Sequence, residues 1–362
     1  MSLFSRSPLS NQQSNQPHKQ ALIERFDPSG VGVNNGNIFG FPFDYETADI
    51  IIFGVPWEVT VSFHSGTAQG PKAVLTASPQ LDFYDYDNPL GWQQGIYMPP
   101  IPDWIEAQNG VLRSPAKKIV EATEQTLSLP DPQDLQQVNA GCADLNQWLQ
   151  AETRKALTAG KTVGILGGDH SVPLGALQAL SEQYPSFGIL HLDAHCDLRD
   201  AYQGFQYSHA SIMRNALEIP QISKLVQVGV RDVSMREIEF VEASNGRIVL
   251  HHDTALKRSR YEGTPWRELC RKIVADLPQQ VYISFDIDGL DPKLCPATGT
   301  PVPGGLELDE AFCLLREVAD SREIIGFDLC EVGPDDWDGN VGARIIYKLC
   351  NLIGLSRQQN SI

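Results

Sequence analysis

A cluster of potential metal ligands follows a run of apolar residues in the middle of the chain. Asp193, His195 and Asp197 occupy alternate positions directly after the apolar segment 187–192. On a strand, residues at i, i+2 and i+4 share one face, and where the chain turns they can surround a cation. Two carboxylates and an imidazole this close together are costly to bury unless something positive binds them. The spacing therefore indicates a cation site that needs further ligands from elsewhere in the chain.

Two further segments place ligand-type side chains at the end of a predicted strand. His170 follows a pair of glycines after the apolar residues 163–166, and Asp286 and Asp288 stand at i and i+2 at the end of the apolar segment 280–285. Glycines let the backbone turn tightly, and two aspartates on one face repel each other unless cations sit between them. Each segment alone also fits a structural role, as a helix N-cap with an exposed histidine or as a pair of turn aspartates.

The ligand-type residues are more informative about a metal site as a set than one by one. Three predicted strand ends contribute the whole set: His170, Asp193, His195, Asp197, Asp286 and Asp288. Carboxylate oxygen dominates this set and two imidazoles complete it. That exceeds what one tetrahedral zinc needs and matches two divalent ions that share carboxylates. We therefore predict a binuclear metal site.

Two more residues are candidates for handling a substrate. Glu331 ends another predicted strand, where its carboxylate either binds a cationic group at the rim of the site or forms a surface salt bridge. His209 begins a predicted helix shortly after Asp197, where its imidazole either carries protons or caps the helix.

Strand and helix alternate along most of the chain, and these elements must position the ligands. Apolar runs predict strands at 48–55, 163–166, 187–192, 225–229, 247–250, 280–285 and 323–328. Helical spacing predicts helices that begin near Pro71 and at 145–159, 172–183, 209–217, 234–243, 265–275, 308–319 and 341–353. Such βαβ units form a parallel sheet, and ligands bind beyond the carboxyl ends of its strands.

The chain divides into a main domain, 48–355, with an N-terminal arm, 1–47, and a C-terminal tail, 356–362. The arm looks partly irregular because it is polar and rich in Gly and Asn, and we expect a partly ordered segment that packs on the domain or on a neighbouring subunit. Residues 80–140 contain Pro-rich stretches, and we interpret them as an insertion or variable segment on the sheet scaffold. The loop 291–305 is rich in Pro and Gly, which predicts a rigid wall of the site.

Composition excludes several classes of partner. The chain has 362 residues and a formal net charge of -17, which argues against a nucleic-acid surface or an anionic membrane as partner. Its seven cysteines form no C-x-x-C pair, as expected for reduced thiols. The N-terminus lacks the apolar core of a signal peptide, and no segment approaches the length of a membrane span. We expect a cytoplasmic protein.

The three ligand segments resemble the signature blocks of a known family. Residues 167–171, 193–197 and 284–292 are similar to those of the ureohydrolases, the arginase and agmatinase family. The similarity extends from residue 48 to residue 355 and is that of an agmatinase-like member. It implies a three-layer α/β/α fold with a mostly parallel central sheet. It also implies two manganese ions, assembly into homotrimers or homohexamers, and hydrolysis of a guanidino compound to urea and an amine or ammonia.

The resemblance also assigns roles to individual residues. Asp193 and Asp286 match the carboxylates that bridge the two ions. His170 and Asp197 match the ligands of one ion, and His195 and Asp288 match those of the other. His209 resembles the proton-carrying histidine, and Glu331 the carboxylate that holds the guanidinium, while Asp197 can relay a proton to the leaving nitrogen.

The substrate is less well specified than the reaction. Arg199 stands where arginases carry an asparagine that reads the carboxylate of arginine, which disfavours arginine unless Arg199 itself contacts that group. Ser208 precedes His209 in a segment that departs from the usual His-Gly. Both residues are candidates for substrate contact together with Glu331. Agmatine is the substrate favoured by similarity.

Several aromatic residues leave a substrate smaller than agmatine possible. A smaller, closed pocket would suit free guanidine or a guanidino acid, and nickel would then be a possible metal. The aromatic candidates for closing it are Trp57, Phe63, Tyr202, Phe205 and Trp337.

Two readings from other classes remain. Deacetylases of the same fold use one zinc and a histidine pair, which His170 and His195, as additional metal ligands, argue against. A catalytically silent subunit that binds metal and regulates another protein is the second alternative. Counting metals distinguishes the first from a ureohydrolase, and an assay for urea distinguishes the second.

Overall fold

A twisted sheet of eight strands forms the centre of the computed structural model, which describes residues 9–126 and 131–359. In chain order the strands are β1 Ile50–Val55, β2 Ile96–Tyr97, β3 Thr162–Gly167, β4 Phe187–Leu192, β5 Ile222–Val228, β6 Ile248–His251, β7 Gln280–Asp286 and β8 Glu323–Cys330. Their order across the sheet is β2-β1-β3-β8-β7-β4-β5-β6, and every neighbouring pair is parallel.

Helices cover both faces of the sheet. They are α1 Leu9–Arg25, α2 Gly70–Ala77, α3 Asp103–Thr126, α4 Pro132–Thr158, α5 Leu174–Gln183, α6 Ile212–Ala216, α7 Met235–Ala243, α8 Asp253–Tyr261, α9 Trp266–Ala275, α10 Leu308–Ser321 and α11 Asp336–Gln359. In one layer α3, α4, α5 and α6 pack on one another in that order, and in the other α2, α11, α10 and α9 do so. The predicted three-layer α/β/α fold is confirmed.

The strands predicted from apolar runs are present within a few residues of the expected bounds. β1, β3 and β4 are buried along their whole length, and β7 and β8 are buried except at their first residue. Strands covered by helices on both faces have no solvent-facing side, so their sequences read as continuous apolar runs rather than as alternation.

Residues 80–140 contribute more regular structure than the sequence predicted. β2 extends the edge of the sheet beside β1, α3 packs on α4, and α4 begins at Pro132 instead of residue 145. Asp131 caps α4 by accepting from the backbone N–H groups of Gln133 and Asp134 at 2.8 and 3.3 Å. The prediction missed these helices because Pro, Gly and Asn interrupt their apolar periodicity.

Two differences affect the later part of the chain. α8, which was not predicted, has mostly polar and charged residues and begins after His252, whose ring nitrogen accepts from the N–H of Ala255. α11 begins at Asp336 instead of residue 341 and continues to Gln359, so most of the predicted tail is helical. Residues 360–362 of that tail lie outside the described residues.

The N-terminal arm, predicted to be partly irregular, contains one α-helix in its described part. α1 occupies Leu9–Arg25, and residues 1–8 lie outside the described residues. Beyond α1, Phe39 and Phe41 are fully buried in an aromatic cluster, where the Phe39 ring lies 5.2 Å from that of Tyr347 in α11. Leu22 and Phe26 pack partly buried against the same core. Parts of residues 22–43 therefore pack against the core of the domain, while residues 29–36 between them are exposed.

Within residues 9–126 and 131–359, no helix combines the length and apolarity that a membrane crossing requires. All seven cysteines lie in these ranges, and none of them is in a disulfide.

Candidate metal centre and substrate cavity

The four central strands of the sheet, β3, β8, β7 and β4, deliver the ligand-type residues at their carboxyl ends. Asp193 directly follows β4, Asp286 is the last residue of β7, and Glu331 follows β8. At the end of β3 the chain passes so close to Trp57 that a Cβ on Gly168 would lie 1.9 Å from the Trp57 carbonyl oxygen. Only glycine fits there, and the tight turn brings His170 over the same edge.

Three carboxylates converge on one ring nitrogen of His170. Its Nδ1 lies 3.2 Å from carboxylate oxygens of Asp193, Asp197 and Asp286. All four side chains are buried. A ring nitrogen carries at most one proton, so it can donate to only one of these oxygens at a time. The arrangement leaves the remaining carboxylate oxygens in need of positive charge.

A second group forms around His195, which is less buried than His170. The Nδ1 atom of His195 lies 3.3 Å from Asp193 Oδ1 and 3.2 Å from Asp288 Oδ2. Asp193 faces the two histidines with different oxygens, since its Oδ2 is the atom near His170. The two groups therefore share one carboxylate, as a pair of neighbouring cation positions requires.

Asp286 belongs to the His170 group through Oδ2, while its Oδ1 accepts from the N–H of Asp288 at 2.9 Å. Asp288 Oδ1 in turn accepts from the N–H of Ala194 at 3.0 Å. These backbone donors fix the orientation of both aspartates, so that each presents its second oxygen to the histidine it faces.

The protonation of these groups shows the need for cations. Burial alone would lower the pKa of His170, but hydrogen bonds to Asp193, Asp197 and Asp286 outweigh it and raise that pKa well above its usual value. Burial and the charges of Asp288 and Asp193 raise the pKa of Asp286 well above its usual range. Burial and the charge of Asp193 raise the pKa of Asp197 to about 6. Without metal ions, protons take the place of positive charge in this cluster.

The donor set fits two divalent cations. Two overlapping groups of carboxylate oxygens and imidazole nitrogens lie close enough together to ligate common ions: His170, His191, Asp193 and Asp197 in one, and Asp193, His195 and Asp288 in the other. Asp286 joins the first group through its contact with His170. His191 offsets part of the charge of Asp193, but the raised pKa values of Asp197 and Asp286 indicate that the neighbouring imidazoles do not compensate all three carboxylates. The structure thus brings together all six residues that the sequence predicted.

A cavity of about 150 Å³ lies above this cluster. His170, His195, Asp197 and Asp286 line it, and Glu331 does so from the end of β8. Glu331 Oε1 accepts from the N–H of His170 at 3.0 Å, while Oε2 is buried and has no hydrogen-bond partner. Burial and the charges of Asp169 and Asp288 raise the pKa of Glu331 well above its usual range. A buried acceptor without a partner suits a cationic group of a ligand.

Backbone geometry at two of the acids is unusual. Asp197 and Glu331 have φ angles of 54° and 61°, in the left-handed region that residues other than glycine rarely adopt. Both residues line the cavity, and both are held by hydrogen bonds: Glu331 N–H donates to Gly168 O at 2.7 Å, and Asp197 O accepts from Met213 at 3.1 Å. Such local strain tends to be concentrated at functional sites.

His209 lines the same cavity. Its Nδ1 lies 3.3 Å from the hydroxyl of Thr60, and burial together with the charges of His195 and His170 lowers the pKa of His209 to about 4. Ser208, predicted to contact substrate, is instead fully buried and caps the turn that follows by accepting from the N–H of Ala210 at 3.3 Å. It is not among the residues that line the cavity.

The outer part of the cavity carries opposite charges. Arg199 and Asp232 both line it and both are exposed, and the guanidinium of Arg199 lies 4.8 Å from the ring centre of Tyr202. Of the aromatic residues considered for closing the pocket, only Tyr202 lines it. Trp57 and Phe205 belong to the buried core, and Phe63 and Trp337 are exposed.

Sequence reasoning missed several residues that support the centre. His191 Nε2 lies 2.8 Å from Asp193 Oδ2, and both oxygens of Asp328 are buried beside His170 Nε2, at 3.5 Å for the nearer one, without a hydrogen-bond partner. Both are polar residues inside apolar strand sequences, which is the signal that identifies them. Arg231 donates to the carbonyl oxygens of Asp288 and Val302 at 2.7 and 2.8 Å and so holds the loop after β7 in place.

Comparison with known proteins agrees with this geometry. The sequence model of the arginase family matches residues 48–352. The chain belongs to the arginase family. Members of this family depend on two metal ions, which agrees with the shared carboxylate and the two histidine groups described above. The family assignment also identifies the protein as a hydrolase that acts on guanidino C–N bonds.

Two relatives within the arginase family are similar over most of their length. The N(1)-aminopropylagmatine ureohydrolase of Thermus thermophilus is 32% identical over 316 residues, which is 86% of this chain and 92% of the relative. The agmatinase of Neisseria meningitidis is 31% identical over 337 residues, covering 89% and 94% of the two chains. These similarities make the chain an agmatinase-like ureohydrolase.

The fold is likewise similar to that of a solved structure, the agmatine ureohydrolase of Thermoplasma volcanium. The TM-score is 0.68 at 22% identity, with 94% of this chain and 99% of the other covered.

Proposed function

We propose that this protein hydrolyses a small guanidino compound and releases urea, with an agmatine-type substrate favoured. The observation that carries the proposal is the position of Glu331. Glu331 lines the cavity, its buried Oε2 has no hydrogen-bond partner, and in the cluster below the cavity Asp193 turns one oxygen to each histidine group. A guanidinium bound there would be held beside the two cations.

In the proposed centre, Asp193 and Asp286 would contribute to holding both ions. His170 and Asp197 would help to hold one ion, and His195 and Asp288 the other. Manganese is the favoured metal and nickel the alternative. Two bound divalent ions would supply an activated water for attack on the guanidinium carbon, which is a poor electrophile.

The protein's own residues position the substrate and transfer protons. Glu331 forms charge-assisted hydrogen bonds with the guanidinium and so holds its carbon in one position over the metal cluster. Asp197, which lines the same cavity, is placed to pass a proton to the leaving nitrogen. His209 carries protons between the cavity and solvent. The products are urea and an amine.

The outer part of the cavity decides between substrates. The exposed carboxylate of Asp232 attracts the terminal ammonium of agmatine, and the names of the relatives above support this class. Arg199, on the same cavity, repels that ammonium. A cavity of about 150 Å³ with a cation at its outer part also suits free guanidine, which has no tail. Guanidine, which would be hydrolysed to urea and ammonia, is therefore the second candidate substrate.

The deciding experiment measures urea from agmatine, arginine, guanidine, guanidinobutyrate and guanidinopropionate, with the protein loaded with Mn²⁺ or with Ni²⁺. We expect agmatine to react fastest. Reaction of arginine alone would contradict the argument from Arg199. Urea from none of the compounds would favour a regulatory subunit, and one zinc ion per chain with amide hydrolysis would favour a deacetylase.

The substitution that tests the guanidinium site is Glu331→Gln, which keeps the volume of the side chain and the acceptor for the His170 N–H. The amide places N–H donors where a guanidinium needs acceptors. We expect both ions to remain bound and urea release to fall at least roughly 100-fold, the size expected when a charged positioning contact is lost. Normal turnover in this variant would exclude Glu331 as the guanidinium site.

We also propose that the chain forms homotrimers or homohexamers and works in the cytoplasm. The family resemblance supports the first statement, and the seven unpaired cysteines support the second. Light scattering after size-exclusion chromatography tests the assembly, and a monomer would contradict it.

A further inference from the structure

The hydroxyl of Thr60 occupies a position between a buried carboxylate and the cavity histidine. Thr60 lies in the segment after β1 and is fully buried. Its Oγ1 atom has three polar neighbours: Asp169 Oδ2 at 3.3 Å, the backbone N–H of His209 at 3.1 Å and the ring Nδ1 of His209 at 3.3 Å. None of these contacts belongs to the metal cluster itself.

The direction of these hydrogen bonds follows from counting protons. A hydroxyl has one proton to donate and two lone pairs to accept with. Asp169 as a carboxylate only accepts, so the Thr60 proton points to Asp169. The backbone N–H of His209 takes one lone pair of the hydroxyl. The other lone pair faces Nδ1 of His209, and this contact is favourable only if Nδ1 carries a proton.

Asp169 is fixed so that it cannot turn away from Thr60. Its other oxygen, Oδ1, accepts from both the N–H and the hydroxyl of Ser171. The N–H of Asp169 donates to the Trp57 carbonyl oxygen at 2.7 Å, and the carboxylate is fully buried. As long as Asp169 is ionised it has no proton to give, and it therefore sets the direction of the hydrogen bonds from Ser171 through Thr60 to His209.

We propose that Thr60, oriented by Asp169, is a positioning residue that holds His209 as the Nδ1–H tautomer. The Nε2 atom of the ring is then left with a lone pair and is the atom that takes up and returns protons in the cavity. The inference rests on the proposed function, because it assumes that His209 carries protons during the reaction.

The sharpest test reverses the polarity with Asp169→Asn. The two donors of Ser171 keep the amide oxygen on their side, so the introduced NH₂ group faces Thr60 and donates to its hydroxyl. The hydroxyl must then donate to His209 Nδ1, which forces the opposite tautomer. We expect kcat to fall at least roughly 100-fold, as when a general base is held in the wrong tautomer, with KM and metal content unchanged.

Two substitutions at Thr60 separate the tautomer from packing. Thr60→Val keeps the shape but removes the hydroxyl, and we expect a loss in kcat of about tenfold or more because the ring is no longer held in one tautomer. Thr60→Ser restores the hydroxyl and should recover most of the lost rate. Equal losses in both variants, or full activity of Thr60→Val, would overturn the proposal.

The tautomer is read directly by ¹⁵N NMR of protein labelled in the histidine rings and loaded with diamagnetic Zn²⁺. The His209 signals are assigned by their absence in His209→Asn. We expect a protonated Nδ1 and an unprotonated Nε2 in the wild type and in Thr60→Ser, and the reverse in Asp169→Asn. A protonated Nε2 in the neutral ring of the wild type would refute the assignment.

The outcomes distinguish this proposal from the proposed function. If no guanidino compound yields urea, the function fails, while the NMR spectrum still reports whether Thr60 fixes the tautomer. If urea is released and His209→Asn keeps the full kcat, the reaction stands and the proton-carrying role of Nε2 is overturned.

Discussion

Asp193 is the residue on which both halves of the candidate metal centre depend. Its two oxygens face the ring nitrogens of His170 and His195 at 3.2 and 3.3 Å, and it is fully buried. Although burial opposes ionisation, the charge of His191 and hydrogen bonds from His170 and His191 hold the pKa of Asp193 well below its usual range. A carboxylate kept ionised in this way is suited to bridge two cations.

At the residue scale, we predict that Asp193→Asn loses both ions and with them the release of urea, because a neutral amide cannot bridge two cations. Metal content by mass spectrometry and urea release are measured on the same sample. Asp232→Asn is the control for metal content, since it removes an exposed acid from the same cavity but faces neither histidine and should keep both ions. Two ions and normal turnover in Asp193→Asn would refute the bridging role.

A second residue-scale prediction concerns Asp328. The Nε2 atom of His170 lies 2.9 Å from Ser284 Oγ and 3.5 Å from Asp328 Oδ1, so these groups face the nitrogen opposite the metal cluster. We expect Asp328→Asn to weaken metal binding roughly 10- to 100-fold, the usual cost of removing a carboxylate that orients a ligating histidine. Titration calorimetry with Mn²⁺ measures it. Unchanged affinity would show that Ser284 alone orients the ring.

The candidate ligands were predictable from sequence, whereas the residues that support them were not. Asp193 and Asp286 stand at the ends of apolar runs, so the pattern that predicts a strand also predicts where its carboxyl end presents them. Asp328 and His191 lie within such runs, where a polar residue reads as an interruption. Only the register of β8 and β4 in the sheet shows that both side chains face the metal cluster.

At the scale of elements, α3 reaches the site although it lies in the segment predicted to be variable. Arg113 of α3 donates to the carbonyl oxygens of Val59 and Val61 at 3.1 and 2.6 Å and to Ser65 Oγ at 3.1 Å. The same helix accepts the N–H of Glu58 through Asn109 Oδ1 at 2.8 Å. Together these contacts fix the segment 56–66, which carries Thr60 beside His209 and Ser62 on the cavity wall.

We predict that Arg113→Gln lowers kcat/KM about tenfold without loss of metal, because a misplacement of the segment by a fraction of an ångström is enough to disturb a positioned proton carrier. Hydrogen exchange within residues 56–66 should become faster. Lys117→Gln is the control, since Lys117 lies on the same helix but is exposed and paired only with Glu121. Equal effects of both substitutions would assign the loss to the stability of α3.

The sequence could not reveal this link because its two ends are far apart in the chain and each looks unremarkable alone. α3 contains Gly110 and Pro115, which break helical periodicity, and α1 is too polar to show an apolar stripe. The helices that were predicted, such as α9 and α10, have clear apolar faces against the sheet. Tertiary packing, not local preference, decides where the polar helices form.

On the scale of the whole molecule, the site concentrates negative charge inside a chain that is already acidic. Five acids, Asp193, Asp197, Asp286, Asp288 and Glu331, are buried around one cavity of a protein with net charge -17. Bound ions stabilise the folded state in proportion to the logarithm of their concentration over Kd, by about 4 kcal/mol at a thousandfold excess. Removal of metal with a chelator should therefore lower Tm.

The decrease in Tm on removal of metal should become larger as pH rises. In the absence of metal, carboxylate contacts hold the pKa of His170 and His195 well above the usual value despite burial, and burial and neighbouring charges raise the pKa of Asp286 and Glu331 in the same sense. All four groups bind more protons in the folded than in the unfolded state. The contribution of the two histidines to stability is thus complete below the usual histidine pKa of about 6.5, and that of Asp286 and Glu331 below the usual carboxyl pKa of about 4; each contribution is lost as pH rises from there towards the raised pKa.

Metal binding has the opposite dependence, because the ligands must release these protons before they can coordinate an ion. We therefore predict that the difference in Tm between metal-loaded and chelated protein widens as pH is raised from about 6.5, the usual pKa of histidine. Scanning calorimetry of both forms at several pH values measures it, and calorimetric titration in buffers of different ionisation enthalpy should show proton release on metal binding. His209→Asn should leave the widening unchanged, since burial and the charges of His195 and His170 lower the pKa of His209 to about 4, below this range. A difference in Tm that is constant or narrows with rising pH would mean that the imidazoles of the metal-free cluster are already neutral, and that the buried acids are held by something other than shared protons.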